Sequence, residues 1–400
     1  MFRQAFGILI VVGLAPVASA VEIDAGDWKF SASGNVNVHY IGSSCEEEST
    51  PSVVGGLACF GAAGEDRSSS ISNGLLPAAL AISAATTQKG YDLNVTFGFY
   101  PGVSTNDGSP NLQQGAELLN TALGTTGLDI RQVFMTFGND RMGTFLLGRN
   151  IGLFGADVIL NDMTLPGVGA GNGNYATPAN TSLGSIGLGY IYTDWLAQID
   201  YTTPDFGGFK ITLGIFDPIE PIVQDVAVPE SSPGYHAKFA FKQGPFYASA
   251  SVISQKHNSA TPGGAFDSFG FDIGGKFTFG GAEIMGWYYQ GEGLGTTALY
   301  LYSDDGFGNE RDSDGFLVQF TYKFGDTKVG VNYGESNLDL ASGEAPSFLV
   351  ETNKKYTVGV YHSLTENLTL LAEFTDTKAE AHNGAENDSS NFNLGAYLSF

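Results

Sequence analysis

Apolar and polar residues alternate along most of this chain. Trp28, Phe30, Ala32, Val36, Val38 and Tyr40 fall on one side of an extended segment, and Lys29, Ser31, Ser33, Asn35, Asn37 and His39 on the other. Successive side chains of a strand point to opposite faces, so this spacing predicts a strand with one apolar and one wet side. The period returns with Leu93, Val95, Phe97 and Phe99, with Tyr235, Ala237, Phe239 and Phe241, and with Phe316, Val318, Phe320 and Tyr322. It continues through Val329, Val331 and Tyr333, through Leu368, Leu370, Ala372 and Phe374, and ends with Phe392, Leu394, Ala396, Leu398 and Phe400. Each run covers about ten residues, the length of a tilted strand that crosses a bilayer.

Short and long connections alternate between the runs. The short ones are 88–90, 138–141, 204–208, 243–245, 280–281, 325–326 and 364–367, each carrying Gly, Pro, Asn or Asp, residues that tight turns favour. Long ones centre near 42–72, 101–127, 150–184, 217–233, 254–265, 291–313, 337–352 and 377–388. That count predicts an all-β fold, a 16-stranded antiparallel transmembrane β-barrel with both termini on the short-turn side. The soluble alternative is a β-sandwich with its aromatic face buried against a second sheet. Closure fits better, because it satisfies every backbone group in lipid.

Residues 1–20 read as a secretory signal: Arg3, an apolar stretch from Phe6 to Leu14, then Ala18-Ser19-Ala20 as a small-x-small cleavage site. Residues 21–400 form the barrel. No later apolar run is long enough for a transmembrane helix. Mean hydropathy is near zero, as expected where lipid-facing and lumen-facing residues cancel. A net charge of −24 argues against a nucleic-acid partner and suits a lumen that attracts cations. Cys45 and Cys59 are the only cysteines; in an exported chain a disulfide between them is expected.

The chemistry concentrates around the third long loop. The sequence carries Arg131, then Gly148-Arg149-Asn150, then Asp157, then Asp162-Met163-Thr164-Leu165-Pro166-Gly167. This stretch resembles the general diffusion porins of Gram-negative outer membranes. In that family the fifth strand ends in a Gly-Arg-Asn/Gln element, and the third loop folds into the lumen with an Asp-Met-Leu-Pro-type segment. The resemblance implies a homotrimer of barrels, each narrowed by an inward-folded third loop. Asp162 takes the place of the first loop carboxylate, Arg131 of a facing wall arginine, and Arg149 of the arginine at the base of the loop. Gly167 stands where a second carboxylate is usual, Thr164 is an extra residue, and the arginines expected on the second and sixth strands are missing.

These departures predict a constriction of Arg131, Arg149, Asp157 and Asp162 with most of its basic side lost. Lys29, Lys238 and Lys323 are expected to add charge to the lumen wall. A single carboxylate about 10 Å from a passing monovalent cation contributes ~0.4 kcal/mol in water-like dielectric, so the expected outcome is a mild, salt-screened cation preference. The alternatives are loop capping for the two aspartates and a structural ion pair for the two arginines.

Glu46-Glu47-Glu48 and the run Ser303–Asp314 offer oxygen ligands for Ca²⁺ or for bridging to lipopolysaccharide, though irregular spacing favours solvated loops. The five histidines accompany no Ser-His-acid motif. Three functions follow in order. The first is a passive outer-membrane channel for small hydrophilic solutes, with no cofactor and no enzyme activity. The second is a substrate-specific channel with an aromatic slide at Phe154 and Tyr175 or a lysine track for anions. The third is a barrel enzyme.

Overall fold

Eighteen strand segments among the described residues form one antiparallel sheet that closes on itself. The computed structural model describes residues 20–46, 53–59, 65–103, 128–171, 181–220 and 228–400. Residues 1–19 of the signal reading, Glu47, Glu48 and Tyr175 lie outside that set. The segments are β1 (Val21–Ala25), β2 (Trp28–Cys45), β3 (Arg67–Ser72), β4 (Ala79–Gln88), β5 (Tyr91–Pro101), β6 (Leu128–Asn139), β7 (Gly143–Ile151), β8 (Trp195–Thr202) and β9 (Phe209–Phe216). They continue as β10 (Gly234–Gln243), β11 (Phe246–His257), β12 (Phe266–Phe279), β13 (Ala282–Glu292), β14 (Asp312–Phe324), β15 (Thr327–Leu338), β16 (Val350–Ser363), β17 (Leu368–Ala381) and β18 (Glu386–Ser399). A single helical turn and a half, α1 (Ala156–Asn161), is the only helix among the described residues.

The eighteen segments occupy sixteen positions around the cylinder. β3 and β4 both pair with β2, from Ser44↔Arg67 to His39↔Ser72 and from Asn35↔Ala79 to Lys29↔Ala85. They are one strand interrupted at residues 73–78, where side chains replace the ladder. Asn73 Nδ2 donates to Asn37 O at 2.9 Å, and Gly74 N donates to Asn37 Oδ1 at 2.9 Å. β1 pairs with the opposite edge of β2 below β18: the β18 ladder ends at Ser399↔Asn35 and the β1 ladder begins at Val21↔Ala32. β1 and β18 therefore share one position end to end. The seven expected short turns fall between strands to within a residue or two, and Gly26-Asp27 adds another.

Alternation holds around the wall. Ile199, Leu213, Ile273, Val318, Val358 and Leu394 face outward and are 46–55% exposed, whereas their inward neighbours Gln198, Asp272, Thr357 and Asn393 are at most 4% exposed. An apolar belt of this extent is a liability in water and is the surface that lipid covers in a closed barrel. Aromatic rings edge the belt. Phe209 and Phe241 stack with centroids 4.2 Å apart near the short turns, and Tyr356 and Phe374 lie 6.3 Å apart toward the long loops. A single sheet joined to itself also removes the sandwich alternative.

The first long loop is tied down by the Cys45–Cys59 disulfide, with Cα atoms 5.2 Å apart. Its backbone is held by wall amides: Val53 N donates to Asn387 Oδ1 at 3.1 Å, and Leu57 N to Asn353 Oδ1 at 2.9 Å.

Candidate functional site: the lumen wall and the segment between β7 and β8

Residues 152–171 and 181–194 pack against inward-facing side chains of the wall. Phe154, Val158, Leu165 and Ile191 share an apolar cluster with Phe216, Ile253, Met285, Trp287 and Leu317. These wall residues break the polar-inward rule because they meet loop rather than solvent.

Single polar side chains then read the loop backbone. Asp272 accepts from Gly155 N at 2.6 Å; Gln319 accepts from Met163 N at 2.6 Å and donates to Asn161 O at 3.2 Å. Glu373 accepts from Val168 N at 2.8 Å and Gly169 N at 2.9 Å, and Asn391 accepts from Gly171 N at 3.1 Å. The segment is thus anchored from β12 to β18. Gly167 has a physical reason here: a Cβ at that position would lie 2.1 Å from Glu373 Oε1. A wall carboxylate occupies the place a loop side chain would need.

Asp162 is fully buried and fully engaged. It accepts from Thr164 N at 2.9 Å, Thr164 Oγ1 at 2.8 Å, Tyr190 OH at 3.0 Å and Asn332 Nδ2 at 3.2 Å. Thr164, the extra residue, caps it. Burial and the adjacent Asp162 carboxylate push the Tyr190 hydroxyl well above its ordinary range, so it remains a donor. This corrects the picture of Asp162 as a charge exposed to passing ions. Asp157, on α1, accepts from Tyr247 OH at 2.8 Å and pairs with Lys238 Nζ at 3.2 Å. Burial opposes its ionisation, but Lys238 and the hydroxyls of Ser249 and Tyr247 hold its carboxyl below the usual value.

Arg131 faces inward through a register shift between Gly98 and Tyr100, and its Nε lies 2.5 Å from Asp129 Oδ2. Its guanidinium carbon sits 5.5 Å from the Tyr100 ring centroid. Arg149 requires correction. It stands opposite Val133 and Ala197, which belong to the outward rows, so it points away from the lumen. Phe145, Leu147, Arg149 and Ile151 share one parity, and that parity carries the arginine to the outer face.

The predicted wall lysines are only part of the basic surface. Lys29 lies at the short-turn rim with Glu22 at 2.5 Å, and Lys238 belongs to Asp157. Lys323 faces Lys328 directly across β14 and β15. Inward rows of β9 to β16 carry seven lysines: Lys210, Lys238, Lys242, Lys276, Lys323, Lys328 and Lys355. The expected loss of the basic side does not hold, because lysines on later strands supply it. Sequence reasoning missed Glu373, Asp272 and Lys328; inward apolar residues such as Leu317 were a usable signal for the docking surface. The acidic run 303–314 spends its carboxylates on turns: Asp305 accepts from Phe307 N at 2.8 Å, and Arg311 pairs with Glu344 at 2.6 Å.

A closed antiparallel barrel with a lipid-facing belt and a segment docked on its inner wall defines an outer-membrane channel protein. The Gram-negative porin family profile matches residues 7–382, and the chain belongs to that family. No curated protein matches in sequence. The barrel is similar to the Acinetobacter baumannii outer membrane channel DcaP, at 15% identity and TM-score 0.65 over 94% of this chain and 99% of that one. It is also similar to Salmonella typhi OmpF in complex with daunomycin, at 12% identity and TM-score 0.61 over 95% and 100%. Vibrio cholerae OmpT matches at 15% identity and TM-score 0.56 over 95% and 99%. At these identities the likeness is one of fold.

Proposed function

We propose that this protein is a passive channel through which small hydrophilic solutes cross the outer membrane, with residues 1–20 as its export signal. The observation that carries the reading is that residues 152–171 are anchored inside a closed barrel by Asp272, Gln319, Glu373 and Asn391. Such a segment narrows the lumen without chemistry, so width and charge do the selecting, and no hydrolytic activity is expected. Planar-bilayer recording of the refolded protein tests this: discrete conductance steps are expected, and their absence at high protein dose overturns it.

The mild cation preference loses its support, because Asp162 is buried away from the lumen and Asp157 carries Lys238 as its counter-ion. A solute-selective channel is the second reading, favoured by the seven inward lysines. A homotrimer is supported by Arg149. An outward arginine costs up to about 2–4 kcal/mol against lipid, depending on depth, and a neighbouring subunit over β7 removes that cost. The outward ladder Lys354–Glu380–Lys378–Glu386, with contacts of 2.8 Å, 3.4 Å and 2.8 Å, lies toward the long-loop rim, where lipopolysaccharide headgroups are expected to meet it.

A further inference from the structure

The charges that face the lumen divide sharply by sign. Its carboxylates are engaged, apart from Asp24 at the short-turn rim opposite Lys29. Glu373 takes two loop amides, the Tyr361 hydroxyl at 2.6 Å and Asn393 Nδ2 at 3.2 Å. Asp200 pairs with His236 at 2.8 Å, Asp92 accepts from Thr87 Oγ1 at 2.7 Å, and Glu283 lies 3.5 Å from Lys276. Asp272 holds Gly155 N and Ser251 Oγ, Asp129 holds Arg131, and Asp157 and Asp162 are bonded as described. Five inward lysines, by contrast, form no ion pair among the described residues: Lys210, Lys242, Lys323, Lys328 and Lys355.

Two of the five stand side by side. Lys323 and Lys328 are register partners on β14 and β15, an arrangement in which like charges destabilise the sheet. Lys328 Nζ lies 4.6 Å from the Tyr361 ring centroid, on the third strand of the same row. Both lysines are within a few residues of the short turn Gly325-Asp326, so they line the periplasmic half of the lumen. Lys276 on β12, Lys242 on β10 and Lys210 on β9 continue the positive row around the wall. The opposite wall at this level, Thr87, Asn94, Thr136 and Thr202, is uncharged apart from Asp92. The acids of the mouth, Asp140, Asp205, Asp326 and Glu366, sit in the turns themselves.

We propose that the Lys323–Lys328 pair, flanked by Tyr361, is an anion subsite on the periplasmic side of the docked segment. It takes small solutes that carry a carboxylate or phosphate. An anion at the pair relieves the repulsion of two neighbouring lysines, neither of which is in an ion pair among the described residues; Glu283, Glu373 and Asp162 act on Lys328 only at longer range. This deepens the solute-selective reading and rests on the channel reading. Each lysine about 6 Å from a passing monovalent anion biases it by roughly threefold in water-like dielectric before screening. The acidic composition of the chain therefore gives the wrong sign for this band of its lumen.

The test is reversal potential across a planar bilayer in a tenfold KCl gradient, at low and at molar salt, with citrate and inorganic phosphate as probes. The wild-type protein is expected to pass chloride over potassium severalfold at low salt. That preference is expected to collapse near 1 M, where the Debye length is about 3 Å. Millimolar citrate or phosphate on the periplasmic side should reduce the chloride current. K323Q and K328Q should each weaken the preference and the block, and the double variant should bring both close to zero. The outward K256Q should leave them unchanged. A potassium preference in the wild type overturns the proposal, as does a chloride preference that survives the double variant. Absence of conductance steps in the wild type instead overturns the channel reading beneath it.

Discussion

Two bands of the same inner wall are built on opposite terms. Where residues 152–171 dock, each wall group meets designated backbone partners: Asp272 meets Gly155, Gln319 meets Met163, and Glu373 meets Val168 and Gly169. Nearer the short turns, the wall presents Lys323 and Lys328 abreast, neither of them in an ion pair among the described residues. The first band is built for rigidity, because a buried carboxylate is stable only when its lone pairs are taken. The second keeps its hydrogen-bonding capacity available to solutes. Formal net charge says nothing about this division, since it does not record where along the lumen each charge stands.

Breaking the docked band should have the largest effect. Glu373→Ala strands Val168 N, Gly169 N and the Tyr361 hydroxyl, and should cost on the order of 4 kcal/mol. Urea unfolding of vesicle-folded protein measures that loss, and single-channel traces should show larger, noisier steps. Glu373→Gln should recover part of it, because one amide oxygen still accepts.

The first long loop sharpens the contrast, since a covalent bond as well as wall amides restrains it. Replacing Cys45 and Cys59 by Ser opens a link of sequence separation 14 and should cost about 3 kcal/mol. Mean conductance should stay unchanged, because the anchors of the docked segment are separate. A changed step size would show that the two loops are coupled.

Asp157→Asn should cost about 1–2 kcal/mol and leave Lys238 without its counter-ion, moving ion preference further toward anions. Acid should act in the same direction. The Asp157 carboxyl is held below its ordinary value of 3.8, so its contribution is complete above that pH and is lost as pH falls through the depressed native value. Reversal potentials recorded from pH 7 down to pH 3 check this. The smallest effect on the pore belongs to the outer loops: Arg311→Ala removes the largely buried pair with Glu344 and the donation to the Tyr302 and Asp304 carbonyls and should cost on the order of 2 kcal/mol, with conductance unaltered.

The strands were legible because lipid on one side and polar lumen on the other impose a strict two-residue period, so Phe316 and Val318 declare their face at once. The seven short turns were legible through Gly, Pro, Asn and Asp. The docking was not, because Glu373 and Gln319 look like any other inward polar residue; only their backbone partners distinguish them. The arginines show two ways of missing a site. Arg131 turns inward through a bulge opposite Tyr100, which no periodicity reveals. Arg149 follows its parity outward, and a motif-based assignment to the lumen overrode that simpler signal. Likewise, the break between β3 and β4 depends on Asn37 and Asn73 standing in for the ladder.

The seam between β2 and β18 sets the order of assembly. Leu394 lies opposite Tyr40 and Phe392 opposite Gly42, the most distant pairing along the chain. Every hairpin can zip locally, but this ladder must wait until the sheet has curled fully round, and such long-range pairings are the slow ones. Until then both strands are bare edges that invite pairing with another molecule. Substitutions that weaken the seam should therefore delay insertion and raise aggregation well before they alter the finished pore.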